Sequence, residues 1–119
     1  PQLMTSWAHG TRAHIAGNPT PGLWMRSGCQ ALLERAKDNV IFNDLTACNA
    51  YEAGDVAAMI TCTTTVVVGS EDKMTPPRAT AHLVAGLSDV DLKHLDGVGH
   101  MMMIEVPDRI REILLSALR

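Results

Sequence analysis

A chain of 119 residues has room for one domain of ordinary size, and a composition 46% hydrophobic and 19% charged excludes a disordered polymer. The net charge of −3 is spread along the chain with no run of Lys or Arg. That disfavours a nucleic-acid partner and attachment to a membrane surface, since both need a basic stripe.

Apolar stretches such as 65–69 and 101–104 are far too short to span a bilayer. No basic segment followed by an apolar one opens the chain, so no secretory signal is read, and a cytoplasmic location is expected. The first residue is Pro1, which fits a processed start or the interior of a longer protein. Cys29, Cys48 and Cys62 are odd in number and lack zinc-ligand spacing, so they read as reduced, buried small hydrophobes.

In chain order, Gly10, Gly17, Asn18, Pro19, Pro21 and Gly22 punctuate residues 10–22 too often for regular structure. A helix is expected from Gly22 to Lys37, because Met25, Cys29, Leu32, Leu33 and Ala36 recur on one face of a 3.6-residue period. A second helix is expected from an Asn43 or Asp44 cap to near Gly54, with Leu45, Cys48 and Tyr51 as its buried stripe. Asp55 can cap a short turn carrying Val56, Met59 and Ile60.

The character of the chain changes near Thr61. Residues 63–69 are β-branched up to the closing glycine, which predicts a strand covered on both faces. Pro76 and Pro77 open a helix to about Gly86, since proline is tolerated in a first turn. Val90 to Leu95 reads as a second strand. Pro107 starts a last helix whose stripe is Ile110, Ile113, Leu114, Ala117 and Leu118, with Arg109, Arg111 and Glu112 facing away. The order strand, helix, strand, helix implies a right-handed crossover and a parallel pair, hence an α/β fold. Two strands alone make a poor sheet.

Two loops follow the strands, residues 69–77 and 96–101, and the carboxyl ends of parallel strands are where ligands bind. Asp72 leaves one strand and His100 its neighbour, so both emerge on one edge of the sheet, within reach of a hydrogen bond. A carboxylate accepting from an imidazole fixes the tautomer and stabilises the imidazolium formed when the ring takes a proton.

The stretch Val66-Val67-Val68-Gly69-Ser70-Glu71-Asp72-Lys73-Met74-Thr75-Pro76-Pro77 resembles the strand and loop that deliver the acid of the α/β-hydrolase triad. Leu95-Asp96-Gly97-Val98-Gly99-His100-Met101, followed by Glu105-Val106-Pro107, is similar to that family's catalytic-histidine loop and final helix. The resemblance implies an incomplete α/β-hydrolase core over residues 61–119: two parallel strands, a crossover helix and a C-terminal helix. Residues 1–60 resemble the helical cap that precedes those strands. Asp72 and His100 would be catalytic, the substrate a small ester or related carbonyl compound, and neither cofactor nor metal is implied.

The family's nucleophile sits in a Gly-x-Ser-x-Gly elbow. Ser6, Ser27, Ser70, Ser88 and Ser116 all lack the flanking glycines. The serine and oxyanion hole are therefore expected outside this chain, which alone should be inactive. The alternative is a non-catalytic, self-associating module with a relic Asp and His.

Other residues receive plainer readings. Glu71 adjoins Asp72, but the family pattern places the acid at Asp72. Glu105 caps or charges the start of the last helix. Met101, Met102 and Met103 read as packing, with Met101 also able to line a substrate pocket. Trp7 and Trp24 can contact an apolar substrate from the cap or pack in the core. His9 and His14 lack companions at ligand spacing and read as exposed loop residues. A homodimer is expected, because the strand at 63–69 leaves an edge with no proline or charge within it to block pairing. Residues 63–69 or the cap would form its interface.

Overall fold

In a computed structural model the described residues are 2–11, 22–51 and 56–119, less the side chains of 2, 3 and 22–25. Helix α1 spans Gln2–Ala8, α2 Gly22–Arg35 and α3 Val40–Ala50, and a 3₁₀ turn covers Ala57–Met59. Then come strand β1 (Thr64–Gly69), α4 (Pro77–Gly86), β2 (Val90–Leu95), the single turn α5 (Met102–Glu105) and α6 (Pro107–Ala117). Residues 12–21 of the loop read at 10–22, and the cap at Asp55, lie outside the described residues.

The two strands pair in parallel, in register from Thr64 opposite Val90 to Gly69 opposite Leu95. Pro77 and Pro107 each open a helix, where a missing N–H is harmless and the fixed φ suits the first turn. Helix α4 connects the two parallel strands and packs along β1. The core lies beneath the carboxyl ends of the strands. Leu95, Val98 and Ile113 are buried there, with Val67, Met102, Val106 and Ile110 packed around them.

Several expectations need correction. Helix α2 stops at Arg35 rather than Lys37, and Ala36 N–H donates instead to Leu33 O in a tightened last turn. Helix α3 starts at Val40, before both expected caps. Asn39 takes a left-handed backbone (φ 67°), which asparagine tolerates, and its carbonyl accepts the Asn43 N–H at 2.9 Å. Asn43 is thus an interior helical residue. The stripe of Leu45, Cys48 and Tyr51 is exposed rather than buried, as is Cys62, and Cys29 is half-buried. Periodicity tells which side of a helix is apolar, not whether anything lies against it.

Cover is also uneven elsewhere. In β1 only Val68 and Gly69 are buried, while the residues before them are half-exposed. In α6 only Ile113 is buried, while Leu114 and, just past the helix end, Leu118 are exposed.

Candidate active site

The two loops are fastened together before either reaches its polar residue. Beyond β1, Ser70 N–H donates to Leu95 O and Glu71 N–H to Val98 O, each at 2.9 Å. In return the Ser70 hydroxyl accepts the Gly97 N–H at 2.8 Å, and Gly97 holds a positive φ of 69° that suits glycine. Gly69 is needed for closeness. A Cβ there would lie within 3.0 Å of the Val98 and Gly99 carbonyls.

Asp72 is buried, and the loop that carries it wraps around its carboxylate. Oδ1 accepts the backbone N–H groups of Met74 at 2.9 Å and Thr75 at 2.8 Å. Oδ2 accepts the Thr75 hydroxyl at 2.7 Å and pairs with His100 Nδ1 at 2.9 Å. Burial pushes this carboxyl up, but the N–H and hydroxyl of Thr75 and the His100 ring outweigh it and hold the group below the ordinary carboxylate range. An ionised carboxylate only accepts, so the Nδ1 facing it carries a proton, and in the neutral ring Nε2 then holds the lone pair. The ring is partly exposed, with about a third of its side chain open to solvent. A buried acid thus orients an accessible base, the arrangement proton transfer to and from a reacting group requires.

No family model matches this chain, and no curated protein does. Solved structures do. A thermophilic esterase superposes with a TM-score of 0.70 at 25% identity, over 98% of this chain and 43% of its own. An alpha/beta hydrolase enzyme from the metagenome of sediments of the lagoon of Mar Chica, Morocco, superposes with a TM-score of 0.59 at 23% identity, over 74% of this chain and 42% of its own.

The chain has a partial α/β-hydrolase fold.

It spans less than half the length of either of those structures. Within this partial α/β-hydrolase fold, β1 and β2 bring Asp72 and His100 together, and the other residues singled out from sequence fare differently. The His100 ring pairs with Asp72 and not with the adjacent Glu71, whose carboxylate accepts the N–H and the hydroxyl of Thr11. Met101 follows His100 and is half-buried, with its N–H donating to Ala8 O at 2.9 Å. Trp24 lies in α2, but its side chain is outside the described residues. Trp7 is exposed over somewhat less than half of its surface. Among the described residues no group of three or more His, Cys, Asp or Glu is placed to hold a metal ion, and no helix is long and apolar enough to cross a membrane.

Two readings are overturned. His9 is not an exposed loop residue. It is buried beside the end of α1, with Nδ1 2.9 Å from Thr5 O, because residues 8–10 run against the His100 loop. His14 lies outside the described residues. Glu105 does not cap the last helix: it ends α5, is fully buried, and its Oε2 accepts the N–H groups of Gly10 and Gly99, each at 3.0 Å. The single turn of α5, unread in the sequence, aims that carboxylate inward.

Thr75 was missed. Its place three residues after Asp72, just before the helix-opening prolines, carried the signal: an Asp side chain readily bonds backbone N–H groups two and three residues on.

Proposed function

We propose that residues 61–119 supply the acid and histidine of a hydrolase acting on esters or related carbonyl compounds. The 2.9 Å contact between His100 Nδ1 and the buried Asp72 carboxylate carries this reading, and the likeness to a thermophilic esterase supports it. In the whole protein a serine outside residues 1–119 attacks the substrate carbonyl while His100 Nε2 takes its proton. Asp72 steadies the imidazolium, and His100 then gives the proton to the departing alkoxide. Residues 1–60 form a helical cap, from which Trp24 contacts substrate, with Met101 beside the base.

The chain alone has no nucleophile elbow, and removing one triad member commonly costs on the order of 10⁴-fold or more in rate. The 119-residue chain and its His100→Ala variant are therefore expected to release nitrophenol from short acyl esters equally slowly. Turnover that depends on His100 would mean that a nucleophile lies within these residues and that this division of the triad is wrong. An upstream reading frame encoding Gly-x-Ser-x-Gly would support the enzyme.

One observation favours a second reading, a self-associating module with a relic Asp and His. Among the described residues β1 pairs with β2 alone. Near it lies a mainly apolar hollow of about 520 Å³ lined by Tyr51, Val66, Val67, Thr75, Ala79 and Leu83, among others. In either reading the chain forms a homodimer through that edge or through the cap.

A further inference from the structure

We propose that Glu105 is a positioning residue for His100, acting by clasping the His100 loop to residues 8–10 of the chain. The inference rests on the Asp72–His100 reading and adds what holds the histidine in place.

The start of the His100 loop is anchored to the Asp72 loop by Glu71 N–H on Val98 O and by the Ser70 hydroxyl on Gly97 N–H. Neither bond reaches residue 100. Its two neighbours are held from the other side. Gly99 N–H donates to Glu105 Oε2 at 3.0 Å, and Met101 N–H donates to Ala8 O at 2.9 Å. The same Oε2 accepts Gly10 N–H at 3.0 Å, so one carboxylate oxygen joins two backbone segments that are 89 residues apart in the chain.

The segments lie too close for side chains between them. A Cβ built on Gly10 would come within 3.0 Å of Gly99 N and Gly97 O, and one on Gly99 would clash with Gly10 N and the His9 backbone. With no side chain able to enter, the registry of this contact depends on backbone bonds and on the carboxylate that receives them.

Glu105 is fully buried, and a buried polar side chain is costly unless it is hydrogen-bonded. Its Oε2 meets that requirement because α5 is a single turn, closed by Glu105 N–H on Met101 O at 3.0 Å. The turn folds the side chain back onto the loop from which it springs. The position of the residue-100 backbone decides whether Nδ1 falls at bonding distance from Asp72, and Glu105 fixes that backbone one residue away.

The test is nuclear magnetic resonance on the isotopically labelled 119-residue chain, reading the His100 tautomer and its Nδ1–H proton. The unaltered chain is expected to show a downfield Nδ1–H resonance that is lost in Asp72→Asn. Glu105→Gln, which keeps a carbonyl oxygen for the two N–H groups, is expected to retain it. Glu105→Leu is expected to abolish it and shift the ring toward the Nε2–H form, while cross-strand signals between β1 and β2 persist.

A folded Glu105→Leu chain that keeps the resonance overturns the inference and leaves the Asp72–His100 reading standing. Absence of the resonance from the unaltered chain overturns both. Should Glu105→Leu fail to fold, Gly10→Ala decides, since it forces the clasp apart with Glu105 in place. Loss of the resonance in a folded Gly10→Ala chain supports the inference, and its retention ends it. If both variants are unfolded, Glu105 serves the fold and not the histidine, and the inference fails.

Discussion

Helices α3 and α6 are each eleven residues long, and the more apolar of the two is the less buried. Val40, Ile41, Phe42, Leu45, Ala47, Cys48 and Ala50 crowd α3, yet none of its residues is buried. Helix α6 carries Asp108, Arg109, Arg111 and Glu112 and still sinks Ile113 among Leu95 and Val98. The difference lies across from each helix. The sheet and the His100 loop present an apolar floor to α6, whereas α3 stays open to solvent. Burial is a property of the pair of surfaces, and the second half of this chain contains both members of its pair.

The sharpest way to break that contrast is to remove side chains from each helix in turn. Ile113→Ala deletes buried atoms from the centre of the core, and such truncations typically cost about 2–5 kcal/mol. A small domain has little stability to lose, so urea unfolding of this variant is expected to show a midpoint shifted far down or no folded baseline. Leu45→Ala, on exposed α3, is expected to stay within about 0.5 kcal/mol. Equal losses at the two sites would mean that α3 is covered in solution.

A smaller effect is expected at Thr75, which joins the packed half to its chemistry. Its hydroxyl and N–H both donate to Asp72, and hydrogen bonds to a charged group contribute about 1.5–3 kcal/mol. Thr75→Val removes the hydroxyl bond and keeps the N–H bond. The folded-state pKa of Asp72 is depressed, so the ionised group stabilises the fold at neutral pH. That contribution starts to fade below the ordinary carboxylate pKa and is gone once the pH has passed the depressed value. Thr75→Val is therefore expected to raise the Asp72 pKa and to narrow the stability lost on acidification. Carboxyl carbon titration and acid unfolding, compared with Asp72→Asn, read both quantities. An unchanged Asp72 titration in a folded Thr75→Val chain would show that the hydroxyl contributes nothing.

Legibility followed the same divide. Strand β2 and the start of α6 fell where sequence placed them, and β1 began one residue late at Thr64. A β-branched run and helix-opening prolines act locally, and the strand–helix–strand order fixes the topology. Asp72 and His100 were legible because parallel strands in register must deliver both to one edge. What could not be read depends on segments far apart in the chain. Nothing near Glu105 in sequence announces that Gly10 will reach it, and His9 is buried by the same contact. Asn39 was overlooked because a left-handed residue before a helix looks, in sequence, like any other asparagine.

The smallest expected effect sharpens the contrast most, because it asks what the open half of the molecule is for. Phe42 stands on α3 with more than two-thirds of its surface exposed, and Leu45 is nearby on the same helix. In an isolated monomer Phe42→Ser removes little buried area, and unfolding should shift by no more than about 0.5 kcal/mol at any protein concentration. In the proposed homodimer two interfaces are open, one along the edge of β1 and one through the cap. If the cap is the interface, Phe42 is covered by the second copy. Its loss then weakens association, and the apparent stability of the variant falls as the protein is diluted, by mass action. If the β1 edge is the interface, the dimer survives Phe42→Ser, but Val66→Lys, which sets a charge on the strand that must pair, disrupts it. Sedimentation of the unaltered chain and both variants across micromolar concentrations separates these outcomes. A concentration-independent monomer in all three would remove the dimer altogether and leave α3 as a helix whose apolar face meets only solvent in this chain.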